Sequence, residues 1–216
     1  MNSSREDYLK IIYEEGGIKN PVTNKIISEK LNIAPGSVSE MLSKLCKLNL
    51  IQSIPHKGVI LTSEGLSICL KLIRSHRLWE VFLMRHLQFS WREAHEEAHL
   101  LEHVTTEKMI ERLDLFLNFP SFCPHGEHIP RSGEVLEAEE NLNTLSEFNS
   151  GDVLTVVKVE ENGELLDYLE TIGLKIGAKI SITEKKLYEG GFTFLQNDKS
   201  IDISHKASTQ IYVKRI

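Results

Sequence analysis

Apolar residues recur with helical spacing through the first third of the chain. This spacing predicts three short helices, at about 3–15, 23–31 and 35–48. Thr23 suits the N-cap of the second helix, and Pro35 suits the first turn of the third. The third helix carries a single apolar stripe, made of Val38, Met41, Leu42, Leu45 and Leu48.

Two short strands follow, at 50–54 and 59–62, and a basic turn at 55–58 joins them. Two helices joined by a tight turn, then a hairpin with a basic tip, are typical of a winged helix-turn-helix. A small helical bundle with a hairpin is the structural alternative. In the winged-helix interpretation, small polar and charged residues face DNA bases and phosphates. These candidates are Ser37, Ser39, Glu40, Lys44, Lys47 and Lys57.

The middle of the chain predicts three more amphipathic helices, and the last third predicts strands. The helices are expected at about 62–87, around 95–103 and at 107–118, followed by a Pro-rich turn at 119–130. Beyond Gly151 the apolar residues alternate with period two. The expected strands lie at 153–159, 179–183, 192–195, 200–203 and 210–213.

These elements predict a mainly α N-terminal part followed by a small all-β barrel. We expect a winged helix-turn-helix domain at 1–73 and a helical metal-binding domain at 74–130. A polar linker at 131–149 and the barrel at 150–216 complete the chain.

Charge is distributed unevenly among the three parts. Residues 1–75 hold ten Lys and Arg against seven Asp and Glu, whereas residues 76–147 hold six against fourteen. The middle part also contains seven of the nine histidines. The only net-positive part is thus the predicted DNA-binding domain, and the middle part has the composition of a cation-binding region.

The strongest candidate chemistry is a run of potential metal ligands in the middle part. On a helix, His95, His99, Glu102 and His103 stand at i, i+4, i+7 and i+8, so they share one face. A divalent metal ion explains why several imidazoles gather there; a solvated polar face is the alternative. His76 and Glu80 form a second ligand-capable pair at i, i+4.

The segment His95-Glu96-x-x-His99 also matches the zinc-metalloprotease signature. Glu102 and His103 would crowd the open coordination position that such an enzyme needs. A zinc metallohydrolase is the alternative function that this motif offers, and an iron-storage or metallochaperone module is a third. We expect the chain not to be an enzyme and to have no small-molecule substrate.

Cysteine usage and hydropathy bear on the compartment. Three cysteines do not suggest a disulfide framework: Cys46 and Cys69 fall on apolar stripes, whereas Cys123 lies in the Pro-rich turn. No apolar run has the length of a membrane span, and the N-terminus has no signal core. We expect a cytoplasmic protein that does not associate with a membrane.

Taken together in this order, the motifs resemble the diphtheria-toxin-repressor family, most closely its manganese-sensing branch with a C-terminal SH3-like domain. The matching segments are Glu6-Asp7-Tyr8-Leu9, Ser37-Val38-Ser39-Glu40-Met41, Lys57-Gly58-Val59, His76-Arg77-Leu78-x-Glu80, Glu102-His103 and Cys123-Pro124-His125-Gly126. The resemblance implies a homodimeric repressor that binds operator DNA when loaded with Mn(II) or Fe(II), and so controls metal-uptake genes. It also implies that the helical domain at 74–130 is the dimerisation domain and that the barrel at 150–216 is SH3-like (FeoA-like).

The resemblance also implies two metal sites. One takes Asp7, His99, Glu102 and His103; the other takes His76, Glu80 and His95, with Cys123, His125 and a barrel carboxylate added in the manganese-sensing branch. Glu160 is the candidate for that carboxylate, with Glu161 and Glu164 as competitors.

One position departs from the family pattern. Related manganese sensors tend to carry a carboxylate, and iron sensors a cysteine, where this chain has His99. The resemblance makes Mn(II) the first candidate metal. An imidazole is softer than a carboxylate and shifts the preference of the site toward Fe, Zn or Co, so Fe(II) and Zn(II) are the alternatives.

Overall fold

A computed structural model describes residues 3–131, 142–188 and 190–216. The chain divides into two compact units. The first contains Met1–His76 and Leu100–Thr106, and the second contains Arg77–His99 and Glu107–Ile216. Two helices, Ser63–Leu87 and Trp91–Glu102, each contain residues of both units.

The first unit begins with the three predicted helices. They are α1 (Ser3–Glu14), α2 (Asn24–Leu31) and α3 (Pro35–Lys47). The Thr23 side chain accepts a hydrogen bond from the backbone N–H of Ile26 at 3.3 Å, and Pro35 opens α3, so both expected start signals are confirmed. The fully buried residues Leu9, Ile27 and Val38 belong to one core, which therefore joins the three helices.

A two-stranded hairpin completes this unit. It consists of β1 (Ile51–Ile54) and β2 (Gly58–Leu61), paired antiparallel. Gly58 has a φ of +128°, and a Cβ there would lie 2.2 Å from the carbonyl oxygen of Val22. Only glycine therefore lets the hairpin lie against the segment that leads into α2.

Three more helices follow, as expected from the apolar spacing. They are α4 (Ser63–Leu87), α5 (Trp91–Glu102) and α6 (Glu107–Phe116). In the second unit, Leu78 and Val81 of α4 share a small core with Leu113 of α6 and with Cys123 and Ile129 of the following turn. Within the described ranges, no helix combines the length and the apolar character needed to cross a membrane.

The C-terminal part is a six-stranded antiparallel sheet in the order β3-β8-β4-β5-β6-β7. Its strands are β3 (Asn143–Thr144), β4 (Val153–Val159), β5 (Lys179–Lys185), β6 (Phe192–Gln196), β7 (Lys199–Ile203) and β8 (Ile211–Arg215). Asn197 and Asp198 both have positive φ and join β6 to β7 in a two-residue turn.

One feature of this part differs from the sequence-based expectation. The part is not all-β, because α7 (Gly163–Ile172) and a short α8 (His205–Ser208) lie between strands. The Asn162 side chain caps α7, which buries Leu165, Leu166 and Leu169. These three leucines have helical spacing, but their place between two segments of period two favoured an all-β interpretation.

The predicted linker at 131–149 is described at residue 131 and from residue 142 onward. Residues 143–144 form β3, which pairs with β8, and a short 3-10 helix spans Leu145–Glu147. The Leu145 side chain is fully buried in the core of the sheet domain. This end of the segment therefore belongs to the sheet domain, and the remainder lies outside the described residues.

Candidate metal centre

The first cluster of potential ligands, called here the first donor group, consists of Asp7, Glu102 and His103. Asp7 lies on α1, whereas Glu102 and His103 lie at the end of α5. One ligand atom from each side chain lies within 4.8 Å of those from the other two. The His103 Nε2 atom is 3.0 Å from Asp7 Oδ1 and 3.5 Å from Glu102 Oε1. Two carboxylates and an imidazole thus converge on one point.

A further carboxylate orients the His103 ring. The Glu6 Oε2 atom lies 2.7 Å from His103 Nδ1, so it accepts the proton of that nitrogen. A bound ion would then use the lone pair of Nε2, the nitrogen that faces Asp7 and Glu102. A carboxylate on the far nitrogen is the usual way in which proteins orient a metal-binding imidazole.

The Glu102 carboxylate is fully buried and has two more partners in the same unit. Lys10 Nζ lies 3.0 Å from Glu102 Oε2, and His76 Nδ1 lies 2.7 Å from the same oxygen. Sequence reasoning missed both Glu6 and Lys10. The available signal was their position on α1, next to Asp7 and one turn after it.

His99 stands four residues before His103 on α5 and is exposed. His76 precedes Glu80 by one turn of α4. For both histidines the expected role as a metal ligand stays a prediction.

The second cluster, called here the second donor group, lies in the second unit. Its members are Glu80, His95, Cys123, His125 and Glu161. Glu80 Oε1 lies 3.1 Å from His95 Nδ1 and 3.1 Å from His125 Nδ1. Glu161 reaches the same two rings at 3.7 and 3.6 Å. Two carboxylates, two imidazoles and a thiol therefore face one another in a largely buried site.

The turn that carries Cys123 and His125 is held by its own backbone and by the sheet. The Cys123 N–H donates to the Glu127 carbonyl at 2.8 Å, and the Val159 N–H of β4 donates to the His125 carbonyl at 3.0 Å. Gly126 has a φ of +88°, and a Cβ there would lie 2.0 Å from the Val157 carbonyl oxygen. The turn can approach β4 this closely only because position 126 is glycine.

Charged side chains fix the far end of the same turn. The Arg77 guanidinium donates to the His128 carbonyl and to Glu127 Oε2, while Lys158 Nζ lies 2.7 Å from Glu127 Oε1. The turn that carries Cys123 and His125 is therefore held by contacts within the protein itself.

Burial has opposite effects on the two titratable groups of the turn. Burial, together with the nearby negative charge of Glu80, raises the pKa of the Cys123 thiol to about 12. Burial alone would lower the pKa of His125, but the Glu80 carboxylate and hydrogen bonds to Cys123 and Glu161 raise it well above its usual value. Without a metal ion the site therefore holds protons, which a divalent cation would displace. The oxygen, nitrogen and sulfur donors fit such a cation.

The structure brings Glu161 to this group, and not the predicted Glu160. Glu160 Oε1 instead accepts a hydrogen bond from the Tyr212 hydroxyl at 3.1 Å, and Glu164 is exposed in the first turn of α7. Side chains alternate between the two faces at the end of a strand, so a shift of one residue reverses the direction of the carboxylate. The sequence could not fix where β4 ends.

The predicted DNA-binding residues lie on the exposed face of α3 and at the tip of the hairpin. The Ser39 hydroxyl accepts from the Asn24 side chain at 2.8 Å and donates to the Pro35 carbonyl at 3.0 Å. Lys44 Nζ lies 2.7 Å from Glu40 Oε1, and this pairing lowers the pKa of Glu40. Their contact with DNA stays a prediction.

The metalloprotease alternative requires Glu96 to act beside the metal. Glu96 is instead exposed and pairs with Arg92 at 2.7 Å, one turn earlier on α5. The same arginine also pairs with Asp167 of α7 at 2.8 Å. Glu96 thus belongs to a surface ion-pair network.

Known protein families match almost the whole length of the chain. The iron-dependent repressor N-terminal DNA-binding domain matches residues 1–59, and the metal-binding and dimerisation domain of the same family matches residues 62–131. A FeoA domain matches residues 143–215, which corresponds to the six-stranded sheet domain.

Individual proteins are similar over their full length. The iron-dependent repressor IdeR of Mycobacterium tuberculosis is 27% identical, with 98% of this chain and 96% of that protein covered. The structure of the manganese regulator SloR is 38% identical, with a TM-score of 0.79 and 98% of both chains covered. The structure of ScaR with bound Zn²⁺ is also 38% identical, with a TM-score of 0.83 and coverages of 98% and 99%.

These relatives are transcriptional regulators and not enzymes, in agreement with the exposed position of Glu96. The family expected from the sequence motifs is confirmed: the chain belongs to the iron-dependent repressor family of metal-dependent transcriptional repressors.

Proposed function

We propose that this chain is a repressor that binds double-stranded operator DNA as a homodimer when its two donor groups hold metal, and so controls metal-uptake genes. The observation that carries the proposal is the position of Asp7. It lies on a helix of the helix-turn-helix unit, and its carboxylate converges with Glu102 and His103 at the end of α5.

Packed side chains connect Asp7 of the first donor group to α3, the helix that carries most of the candidate DNA-binding residues. Leu9 and Ile12, on the same helix as Asp7, share a core with Val38 and Leu45 of α3. A divalent ion bound there would supply the positive charge that offsets the repulsion between the Asp7 and Glu102 carboxylates. Asp7 would then hold α1, and through the core α3, in one position relative to the end of α5.

Metal activates such a switch only by binding the DNA-competent arrangement more tightly than the alternatives. The donors of the first group are far apart in sequence, so an unfolded or rearranged α1 loses Asp7 as a ligand. Couplings of this kind are typically about 1–3 kcal/mol, or roughly 5- to 150-fold in affinity.

Mn(II) is the proposed physiological metal, with Fe(II) and Zn(II) as the alternatives to test. The first donor group has two carboxylates for one imidazole, and oxygen-rich sites suit Mn(II). An added His99 ligand would shift that balance towards nitrogen. In the second group Cys123 supplies a thiol, which favours softer ions such as Zn(II).

A gel-shift experiment tests the proposal, with metal titrated into the protein and the promoter DNA of the gene that encodes it. We expect Mn(II) to tighten DNA binding between about 5- and 150-fold, and a chelator to reverse it. Fe(II), Zn(II) and Co(II) are titrated side by side, and Glu102→Gln, which keeps the shape of the side chain, should lose most of the activation. Equal DNA affinity with and without every metal would refute the switch.

A further inference from the structure

Lys10 places an ammonium group directly against the first donor group. Its Nζ lies 3.0 Å from Glu102 Oε2 and 3.4 Å from Oε1, so it faces both carboxylate oxygens. The Lys10 side chain is only 12% exposed and the Glu102 side chain is fully buried, so water screens this pair poorly. Neither the motifs nor the comparisons assign a role to Lys10.

We propose that the Lys10 ammonium group holds the Glu102 carboxylate in the metal-free chain, and thereby sets the metal concentration at which the first donor group fills. The inference rests on the proposed metal switch and concerns its threshold. Lys10 stands one turn after Asp7 on α1, so the same helix supplies both a ligand and a cation that competes for the ligand opposite.

The charges of the neighbouring side chains support this role. With neutral imidazoles, the Glu6, Asp7 and Glu102 carboxylates and the Lys10 ammonium together carry a charge of −2, which one divalent ion neutralises. Without the ammonium group the same cluster carries −3. The metal-free chain would then be less stable, because a buried carboxylate loses a charged partner, and a divalent ion would bind more tightly.

The distances also show which contact of Glu102 a bound metal ion would displace. Glu102 Oε2 is shared by Lys10 and His76, whereas Glu102 Oε1 faces His103 Nε2. An ion that uses both oxygens has to replace the ammonium group, and an ion that uses only Oε1 shares the carboxylate with it. In either arrangement the ammonium group weakens metal binding.

Calorimetric titration of the full-length chain with Mn(II) alone tests the inference. The variant Lys10→Met removes the charge and keeps most of the apolar stem. In Lys10→Met, we expect the site formed by the first donor group to bind Mn(II) at least about tenfold more tightly than in wild type. Lys10→Arg keeps the charge and should stay close to wild type, while Lys10→Gln serves as a second neutral variant if Lys10→Met does not fold.

A matched control removes the same charge from the same unit. Lys25 is exposed and pairs with Glu29 at 3.8 Å on the surface of α2, so Lys25→Met should leave Mn(II) affinity unchanged. Thermal unfolding adds a second measurement. Lys10→Met should lower the melting temperature of the metal-free chain and increase the rise produced by Mn(II), whereas a purely structural role would lower both melting temperatures equally.

The outcomes separate this inference from the proposed function. If wild type binds Mn(II) and Glu102→Gln loses one class of sites, the metal switch stands. Unchanged or weaker Mn(II) binding in both neutral Lys10 variants would then overturn the role of Lys10 alone. If wild type and Glu102→Gln bind no metal, the proposed function fails and this inference fails with it.

Discussion

At the scale of single residues, His103 has a carboxylate on each side of its ring. Glu6 accepts the proton of Nδ1 at 2.7 Å, and Asp7 faces Nε2 at 3.0 Å. The two carboxylates are adjacent on α1 and yet have different roles. Glu6 fixes the ring and its tautomer, and Asp7 is placed to share an ion with Nε2.

Glu6 should therefore affect metal binding without being a ligand. Glu6→Gln weakens the hydrogen bond to Nδ1, and we expect a loss of about 10- to 100-fold in Mn(II) affinity at the first class of sites, with unchanged stoichiometry. The control Glu29→Gln removes an exposed carboxylate of the same unit and should have no effect. Loss of the whole class of sites in the calorimetric titration would instead make Glu6 a ligand.

At the scale of elements, the second donor group depends on how closely the turn at 119–130 approaches β4. The family resemblance of the sequence named Cys123 and His125 as candidates, a thiol and an imidazole two residues apart in a Pro-rich turn. It could not place Glu161, because the choice between Glu160 and Glu161 depends on where β4 ends and on the hydrogen bond between Glu160 and Tyr212. Local spacing predicts ligands within one element, and packing between elements decides which of them meet.

Gly126 provides a test of this close approach. In Gly126→Ala a Cβ would collide with the Val157 carbonyl, so the turn should shift away from β4 and weaken metal binding by the second class of sites. Gly177→Ala is the matched control, because Gly177 also has positive φ, +83°, but no atom within 4 Å of the added Cβ. Both variants bear backbone strain, and only Gly126→Ala should lose affinity for Zn(II) in a competition titration. Equal losses in the two variants would show that the close approach does not matter.

The helices of the first unit illustrate what the sequence does predict. Thr23, Pro35 and the apolar stripe of α3 indicate helix boundaries and a buried face correctly, because caps and periodicity are local signals. The contacts of Lys10 and Glu6 were not predicted, because they are not local in the sequence. Each is an ordinary charged residue on a helix, and its partner is more than 90 residues away in the chain.

At the scale of the whole molecule, the first donor group and the helix with the candidate DNA-binding residues lie in one packed unit. Asp7 contributes to the first donor group, and the core around Leu9 and Ile12 connects its helix to α3, which carries the candidate DNA-binding residues. If these two functions are coupled, the coupling free energy must be the same whichever ligand is added first.

The decisive measurement of this coupling is the Mn(II) affinity of the chain in the presence and absence of operator DNA. We expect saturating DNA to tighten Mn(II) binding by the same factor by which Mn(II) tightens DNA binding, and Asp7→Asn to remove both effects together. Equal Mn(II) affinity with and without DNA in the wild-type chain would contradict the proposed switch.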